Sequence, residues 1–267
     1  MSVFNSSRLL RKSVLVTGAS SGIGMATAVL FAKVGSNVIV TAWQVDALQK
    51  VVERCVAVHK EAGAQYGGKF VTIPFDVSDK NQIASFSNKI PAELRRIDIL
   101  VNNTGYVIGV DCVGDISLEN MEGMFATNMF GLITLTQLFV KERGTGHIIN
   151  IGSIAGKEPY AGGSIYCTTK HALHVFTAAL VSEVVDTPIR VTEIQPGMVE
   201  AEFSIIRCRG DKTAADKVYN GLQPLVAEDI AEEIVWAASR PPHMNIAELF
   251  VLPVNQASAT ITYRSKA

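Results

Sequence analysis

The run SVLVTG (13–18) is short, apolar and closed by glycine, and it continues through TGASSGIG (17–24) into the helical pattern IGMATAVLFAKVG (23–35). A strand that breaks on glycine straight into a helix is the first half of a strand–helix–strand crossover, and such a crossover commits its strands to parallel pairing. The alternation then repeats along the chain. Further strands are expected at 37–42, 69–77, 97–105, 146–153, 189–197 and 247–254. Helical spacing fills 45–63, 79–94, 117–143 and 164–185, and returns over 211–220 and 227–239. Near-continuous Val and Ile in the strands mean burial on both faces.

Helices on both faces of a parallel sheet, joined by right-handed crossovers, give a doubly wound α/β fold with seven strands. No repeat, low-complexity tract or linker divides the chain, so a single Rossmann-type domain over 13–255 is expected. Residues 1–12 read as a partly ordered arm and 256–267 as a tail.

Charge narrows the function classes. There are 24 basic and 25 acidic residues, a formal net charge of −1. That balance offers no footprint for nucleic acid or an anionic membrane. No segment reads as the roughly 20 apolar residues of a membrane span, and MSVFNSSRLLRK (1–12) has no apolar run of signal-peptide length. Cys55, Cys112, Cys167 and Cys208 are scattered, which points to a reducing, cytoplasmic location rather than a disulfide framework. His171 and His174, three apart, have no evident third ligand, so no metal site is expected.

The loop TGASSGIG has chemistry of its own. Gly18 turns the chain off the strand. Gly22 and Gly24 clear side chains, so that backbone N–H groups and the next helix N-terminus can meet a pyrophosphate. Asp76 and NNTG (102–105) follow the third and fourth strands, where an adenosine would rest in an open α/β sheet. Asp76 also reads as a cap for the next helix. Ser153 ends the fifth strand in GSIAG. In SIYCTTKHAL (164–173), Tyr166 and Lys170 stand one turn apart on one helix face. Taken singly, these are a strand-end cap, a surface aromatic and a solvated charge.

Taken in order, TGASSGIG, Asp76, NNTG, Asn128, Ser153, YCTTK with Tyr166 and Lys170, and Pro196-Gly197 resemble the short-chain dehydrogenase/reductase family of single-domain type. The likeness spans about residues 13 to 255. The resemblance implies an oxidoreductase that interconverts an alcohol and a ketone or aldehyde by hydride transfer to or from a nicotinamide. Its catalytic set would be Asn128, Ser153, Tyr166 and Lys170. A free phenol, with a pKa of about 10, is too weak an acid for this work at neutral pH. Lys170 and an oxidised nicotinamide would lower it, making Tyr166 the general acid/base. Ser153 would bond the substrate oxygen, and Asn128 would position Lys170 through water. Cofactor contacts would come from Gly18, Ser20, Ser21, Gly22, Ile23, Gly24, Thr41, Trp43, Asp76, Val77, Asn103, Gly105, Tyr166, Lys170, Pro196, Gly197 and Val199.

The chain also departs from the family pattern. Trp43 and Gln44 stand where NADP-preferring members carry arginines, and Thr41 and Ala42 where NAD-preferring members carry an acid. A 2′-phosphate is neither clamped nor repelled. NADP(H) is favoured on resemblance, with NAD(H) the alternative. Thr104 replaces a usual alanine. Ala201 lacks a hydroxyl that would hold the carboxamide, so Ala201→Thr is expected to tighten cofactor binding.

Residues 202–258 are similar to one branch of the family, NADP-dependent dehydrogenases of L-serine, L-allo-threonine and related 3-hydroxy acids. Substrate contacts are expected from Ser153, Tyr160, Tyr166 and Arg207, within a flap at about 198–226. Arg207, or else Arg209, would fork onto the acid group, unless it pairs with Asp211 or Glu202. Lys157 and Glu158 would flank the pocket. A carbonyl reductase for bulkier neutral ketones is one alternative, and a non-catalytic dinucleotide sensor is another. The family also implies a homotetramer or homodimer through 117–143 and 164–185.

Overall fold

The computed structural model describes residues 5–143, 145–200 and 202–265. The elements run β1 (Ser13–Thr17), α1 (Gly22–Lys33), β2 (Asn37–Ala42), α2 (Val45–Glu61), β3 (Phe70–Pro74), α3 (Lys80–Lys89) and β4 (Ile99–Asn102). Next come α4 (Leu118–Phe125), a π turn (Ala126–Gly131), α5 (Leu132–Arg143), β5 (Gly146–Ile151), α6 (Ser164–Glu183) and β6 (Ile189–Pro196). Two short helices, α7 (Phe203–Arg207) and α8 (Lys212–Lys217), precede α9 (Ala227–Ala238) and β7 (Glu248–Val251). All seven strands pair in parallel, in the order β3-β2-β1-β4-β5-β6-β7. The order reverses between β1 and β4, and loops from both of those strands frame a cleft there.

Period-two alternation feeds two cores at once. Val14 and Val16 of β1 face α1, α2 and α9, where Phe31, Leu48 and Ile234 are wholly buried. Leu15 of the same strand faces α3, α5 and α6, with Phe86, Leu135 and Leu180. The apolar strands are therefore consumed on both sides, as a crossover sheet requires.

Several elements differ from the sequence expectation. Helix α3 stops at Lys89 instead of running to 94, because Ile90, preceding Pro91, takes an extended ψ of 127°. The helix expected over 117–143 is interrupted by the π turn. The run Leu118–Glu142 is long and apolar enough, by length and composition, to cross a membrane. This corrects the reading that no such segment exists. It packs on the sheet through Leu135 and Phe139, as a core helix of this fold. The N-terminal arm carries a 3-10 turn (Ser6–Leu9), with Leu9 buried and its carbonyl bonded by Ser36. The C-terminal stretch is packed too: Gln256 accepts from Met198 N, and Arg264 donates to the carbonyls of Val218 and Asn220. The flap is tied at its base by Leu225 N to Met198 O, 3.0 Å, and Glu200 N to Leu225 O, 2.8 Å.

Candidate active site

A cleft of about 1120 Å³ opens over the carboxyl ends of the strands. Its phosphate end is built by the glycine loop. Gly18 adopts φ +62°, and a Cβ there would press on the Thr104 backbone at 2.9 Å. A Cβ at Gly24 would collide with the Gly18 carbonyl, so α1 approaches β1 more closely than any side chain allows. Asn103 locks this junction: its Nδ2 donates to the carbonyls of Thr17 (2.9 Å) and Gly18 (3.0 Å). Ser21, the N-cap of α1, makes no side-chain cap bond, so its hydroxyl leaves the first N–H groups of the helix free to meet a ligand. An exposed helix N-terminus on a glycine loop fits a pyrophosphate.

Gly18, Ser20, Ser21, Gly22, Ile23, Trp43, Asp76, Val77, Asn103, Gly105, Pro196, Gly197 and Val199 all line the cleft. Thr41 does not. It is buried in β2 with its hydroxyl on the Val16 carbonyl, so its side chain is spent inside the sheet. Gly24 acts by packing rather than as cleft lining. Trp43 is 74% exposed, a free indole face at the cleft edge. Asp76 uses Oδ1 on the Ser78 amide and hydroxyl. It is not the cap of α3. That role falls to Asp79, which accepts from Asn81 N and Gln82 N. Thr104 also lines the cleft, and Ala201 lies outside the described residues.

At the other end, Ser153, Tyr160, Tyr166, Lys170 and Arg207 line one continuous wall. Ser153 caps a 3-10 turn (Ile154–Gly156), accepting from Ala155 N at 3.1 Å. Tyr166 and Lys170 lie on the buried face of α6 with Thr169 and Leu173. Val107, Met124 and Phe203 close an apolar box around the Tyr166 ring, Phe203 at 5.8 Å between centroids. That box has an electrostatic consequence. Burial pushes the Tyr166 phenol above its ordinary pKa, the nearby Tyr160 adds to this, and the Ser153 hydrogen bond and Arg207 charge pull the other way. Lys170 is not among the groups that acidify it. The expected lowering by the lysine is thus corrected: among the protein's own groups, desolvation wins. Lys170 turns its Nζ to the Ile151 carbonyl at 2.8 Å. Burial lowers its own pKa to about 8, against the raising charge of Glu193.

Asn128, inside the π turn, does not bond Lys170. Its carboxamide is fully engaged, accepting from Tyr106 N (2.7 Å) and donating to Tyr106 O (2.9 Å) and Thr169 Oγ1 (3.1 Å). It therefore ties the loop after β4 to α6. Arg207 donates to Tyr160 Oη at 3.1 Å and lies 5.0 Å over that ring. Its Nε is buried without a partner among the described residues. Neither Asp211 nor Glu202 pairs with it. Arg209 instead pairs with Asp111. Lys157 pairs with Glu248, and Glu158 accepts from Ala259 N. Neither residue lines the cleft. His171 faces the Cys167 carbonyl and His174 faces Glu193, so the two histidines are engaged separately.

The sequence reading missed Tyr106, Phe203, Asp111 and Glu193. Tyr106 and Asp111 lie in the loop after β4 and Phe203 opens the short helix α7, and none of these placements leaves a spacing signal. Glu193 is one acid in an apolar strand, and only the register places it behind Lys170.

A family model described as short chain dehydrogenase matches residues 12–207. The chain is 41% identical to an NADP-dependent 3-hydroxy acid dehydrogenase of Schizosaccharomyces pombe, covering 98% of this chain and 100% of that one. It is 38% identical to a serine 3-dehydrogenase of Agrobacterium fabrum, over 92% of this chain and 96% of the relative. Among solved structures, a closed form of serine dehydrogenase complexed with NADP+ superposes with a TM-score of 0.85. That structure is 36% identical, over 95% of this chain and 99% of its own. Glycine loop, parallel sheet and the Ser153, Tyr166 and Lys170 wall meet in one cleft, and the chain belongs to the short-chain dehydrogenase family.

Proposed function

We propose that this protein is an NADP-dependent dehydrogenase of small 3-hydroxy acids such as L-serine, converting the 3-hydroxyl to a carbonyl. The observation that carries the substrate class is Arg207. It lines the same wall as Ser153 and Tyr166, yet among the described residues its buried Nε has no partner and Tyr160 alone bonds the head group. A guanidinium with a spare buried donor suits a carboxylate. The cited relatives and the NADP+ complex support both the acid and the dinucleotide.

A bound nicotinamide supplies the hydride acceptor, or the donor when reduced, and a positive ring charge when oxidised. The exposed N-terminus of α1 and the glycine loop would hold its pyrophosphate. Ser20, Trp43 and Gln44 would meet the adenosine end, where no acid of β2 repels a 2′-phosphate. Ser153 would donate to the substrate oxygen. Tyr166, kept neutral by burial, is set to give its proton to a carbonyl being reduced. In oxidation it must release that proton first, and positive charge in the cleft favours this. Lys170 holds such a charge on the same helix face.

Ile206 and Phe203 also line the cleft, which favours neutral ketones as a second substrate class and hence carbonyl reductase activity. Four free cysteines are in keeping with a cytoplasmic site. Exposed Phe130 and Val175, at 59% and 66%, support pairing of copies as a homodimer or homotetramer.

The test is absorbance at the reduced-nicotinamide band, with NADP and NAD side by side, against L-serine, 3-hydroxy acids and simple ketones. Turnover of hydroxy acids with NADP is expected, and Arg207→Ala should lower kcat/KM for the acids far more than for ketones. Equal losses on both would remove Arg207 as the carboxylate reader.

A further inference from the structure

Glu193 is the least explained residue in the sheet. It lies in the middle of β6, is 1% exposed, and pairs in register with Asn150 of β5. Its side chain shares a face with Asn102 and Asn150, which form a polar row beneath α5 and α6: Asn102 donates to Asn150 (2.9 Å), and Asn150 to Thr177 (2.9 Å). A carboxylate here is costly unless it serves some purpose, since burial of an unpaired charge is strongly unfavourable. One oxygen, Oε2, is bonded by His174 Nδ1 at 2.8 Å. The other, Oε1, has no partner among the described residues. That oxygen lies directly under Gly152, where a Cβ would collide with it. Gly152 follows Ile151, whose carbonyl takes the Lys170 hydrogen bond. His174 is one turn beyond Lys170 on α6.

The geometry therefore sets a fixed negative charge behind the lysine that faces the cleft. Around this corner, strand β7 contributes Glu248, in register with Glu193 and paired with Lys157. Helix α6 contributes Tyr166, Cys167, His171 and His174, and Tyr160 and Arg207 stand on the same wall of the cleft. Glu119 and Glu122 of α4 are exposed. Glu193 is the group whose charge favours the ammonium, against desolvation that opposes it.

We infer that Glu193 is a positioning residue of the reaction: its buried carboxylate, held by His174 beneath the end of β5, keeps Lys170 charged and so sets the alkaline limit of activity. The inference rests on Lys170 and Tyr166 being the proton-transfer pair proposed above.

The test compares kcat/KM against pH for the wild type, Glu193→Gln and Glu193→Asp, using NADP and a hydroxy acid. The wild-type alkaline limb is expected near pH 8, from the lysine value of about 8. In Glu193→Gln it should move down by about one pH unit, since loss of an opposite charge lowers a lysine pKa. Glu193→Asp should restore it. Superimposable profiles for wild type and a folded Glu193→Gln overturn the inference. Should Glu193→Gln not fold, the double variant Glu193→Gln/His174→Gln takes its place. It removes the charge together with the side chain that bonds it, and an unmoved limb there is equally fatal. A second readout needs neither cofactor nor substrate: urea unfolding of the free proteins against pH. A lysine whose folded pKa is depressed lets stability rise with pH from its folded value to its unfolded one. In Glu193→Gln that rise should begin at lower pH. If this shift appears but no hydroxy acid is turned over, the functional proposal fails while the electrostatic link stands. If turnover is present and neither the limb nor the rise moves, the link itself is wrong.

Discussion

The Lys170 nitrogen lies 5.9 Å from the centre of the Tyr166 ring and donates its hydrogen bond elsewhere, to the Ile151 carbonyl. The lysine thus makes no hydrogen bond to the phenol. Both side chains are buried, at 5% and 8% exposure, and burial is the main influence on the protonation of each.

Removing the phenolic oxygen tests this pair most directly. Tyr166→Phe keeps the ring in its box of Val107, Met124 and Phe203. It should lower kcat by about 10²–10⁴-fold, the range for a lost general acid/base. Dinucleotide affinity, read by reduced-nicotinamide fluorescence, should stay close to that of the wild type. Retained turnover would end the role assigned to this residue.

Reaction direction should show opposite pH trends. Burial keeps the Tyr166 phenol protonated beyond its ordinary range. Ketone reduction, which consumes that proton, should be favoured at neutral or lower pH. Alcohol oxidation should gain as pH rises toward the alkaline limb. Initial rates in both directions across pH 6 to about 9 measure this.

Gly24 is a steric test of the phosphate end. Gly24→Ala places a methyl against the Gly18 carbonyl and Asn103 Nδ2, the latter at 2.5 Å. Forced overpacking costs about 1–3 kcal/mol. Dinucleotide binding should fall more than urea stability alone accounts for, because the displaced backbone is the cradle itself.

His147 gives an acid-side stability test. It is wholly buried in β5, 2.7 Å from Thr192 Oγ1, and burial holds its pKa well below the usual value. A depressed folded value means stability is present above about pH 6.5 and lost as pH falls below it, with a slope of at most about 1.4 kcal/mol per pH unit. The urea midpoint of His147→Leu should be flatter between pH 6.5 and 5 than that of the wild type.

The flap is fastened to the loop after β4 by the Arg209–Asp111 pair and by Gly109 N on the Arg207 carbonyl, 2.9 Å. The ion pair is partly exposed, so Asp111→Asn should leave Tm nearly unchanged. It should loosen closure instead, raising KM for a hydroxy acid several-fold with kcat equal or higher. An unchanged KM would show that the pair does not govern the flap.

How much of this was legible in the chain depends on the kind of constraint. Strands such as Ile99–Asn102 and Gly146–Ile151 announce themselves as short runs rich in β-branched apolar residues, bounded by Gly, Asp and Asn and too short for a buried helix. Ser153, Tyr166 and Lys170 were legible through their order, and they do line one wall. Asp76 read as the cap of α3, but the cap is Asp79, three residues on, whose Oδ1 meets two amides. Thr41 looked available, but the period of two turns its side chain into the sheet. Asn128 was legible as a site residue, but its three direct bonds go to Tyr106 and Thr169, which no spacing rule connects. Glu193 could be placed only once strand register was known.

The π turn at Ala126–Gly131 is continuous in apolar spacing with the α-helices on either side, so nothing in the residues marks it. Each residue of an α-helix advances the chain by about 100°, and a π turn holds one residue more than an α turn would. Because the wide turn completes its revolution with one residue more, deleting a residue from Ala126–Gly131 would close an ordinary α turn and leave α4 and α5 close to their present angular relation. Met124 would stay in the box around Tyr166, while Asn128 would lose its place on the loop it secures. The extra residue thus serves the cleft and not the packing: it sets one carboxamide beside Tyr106 without turning the rod on either side.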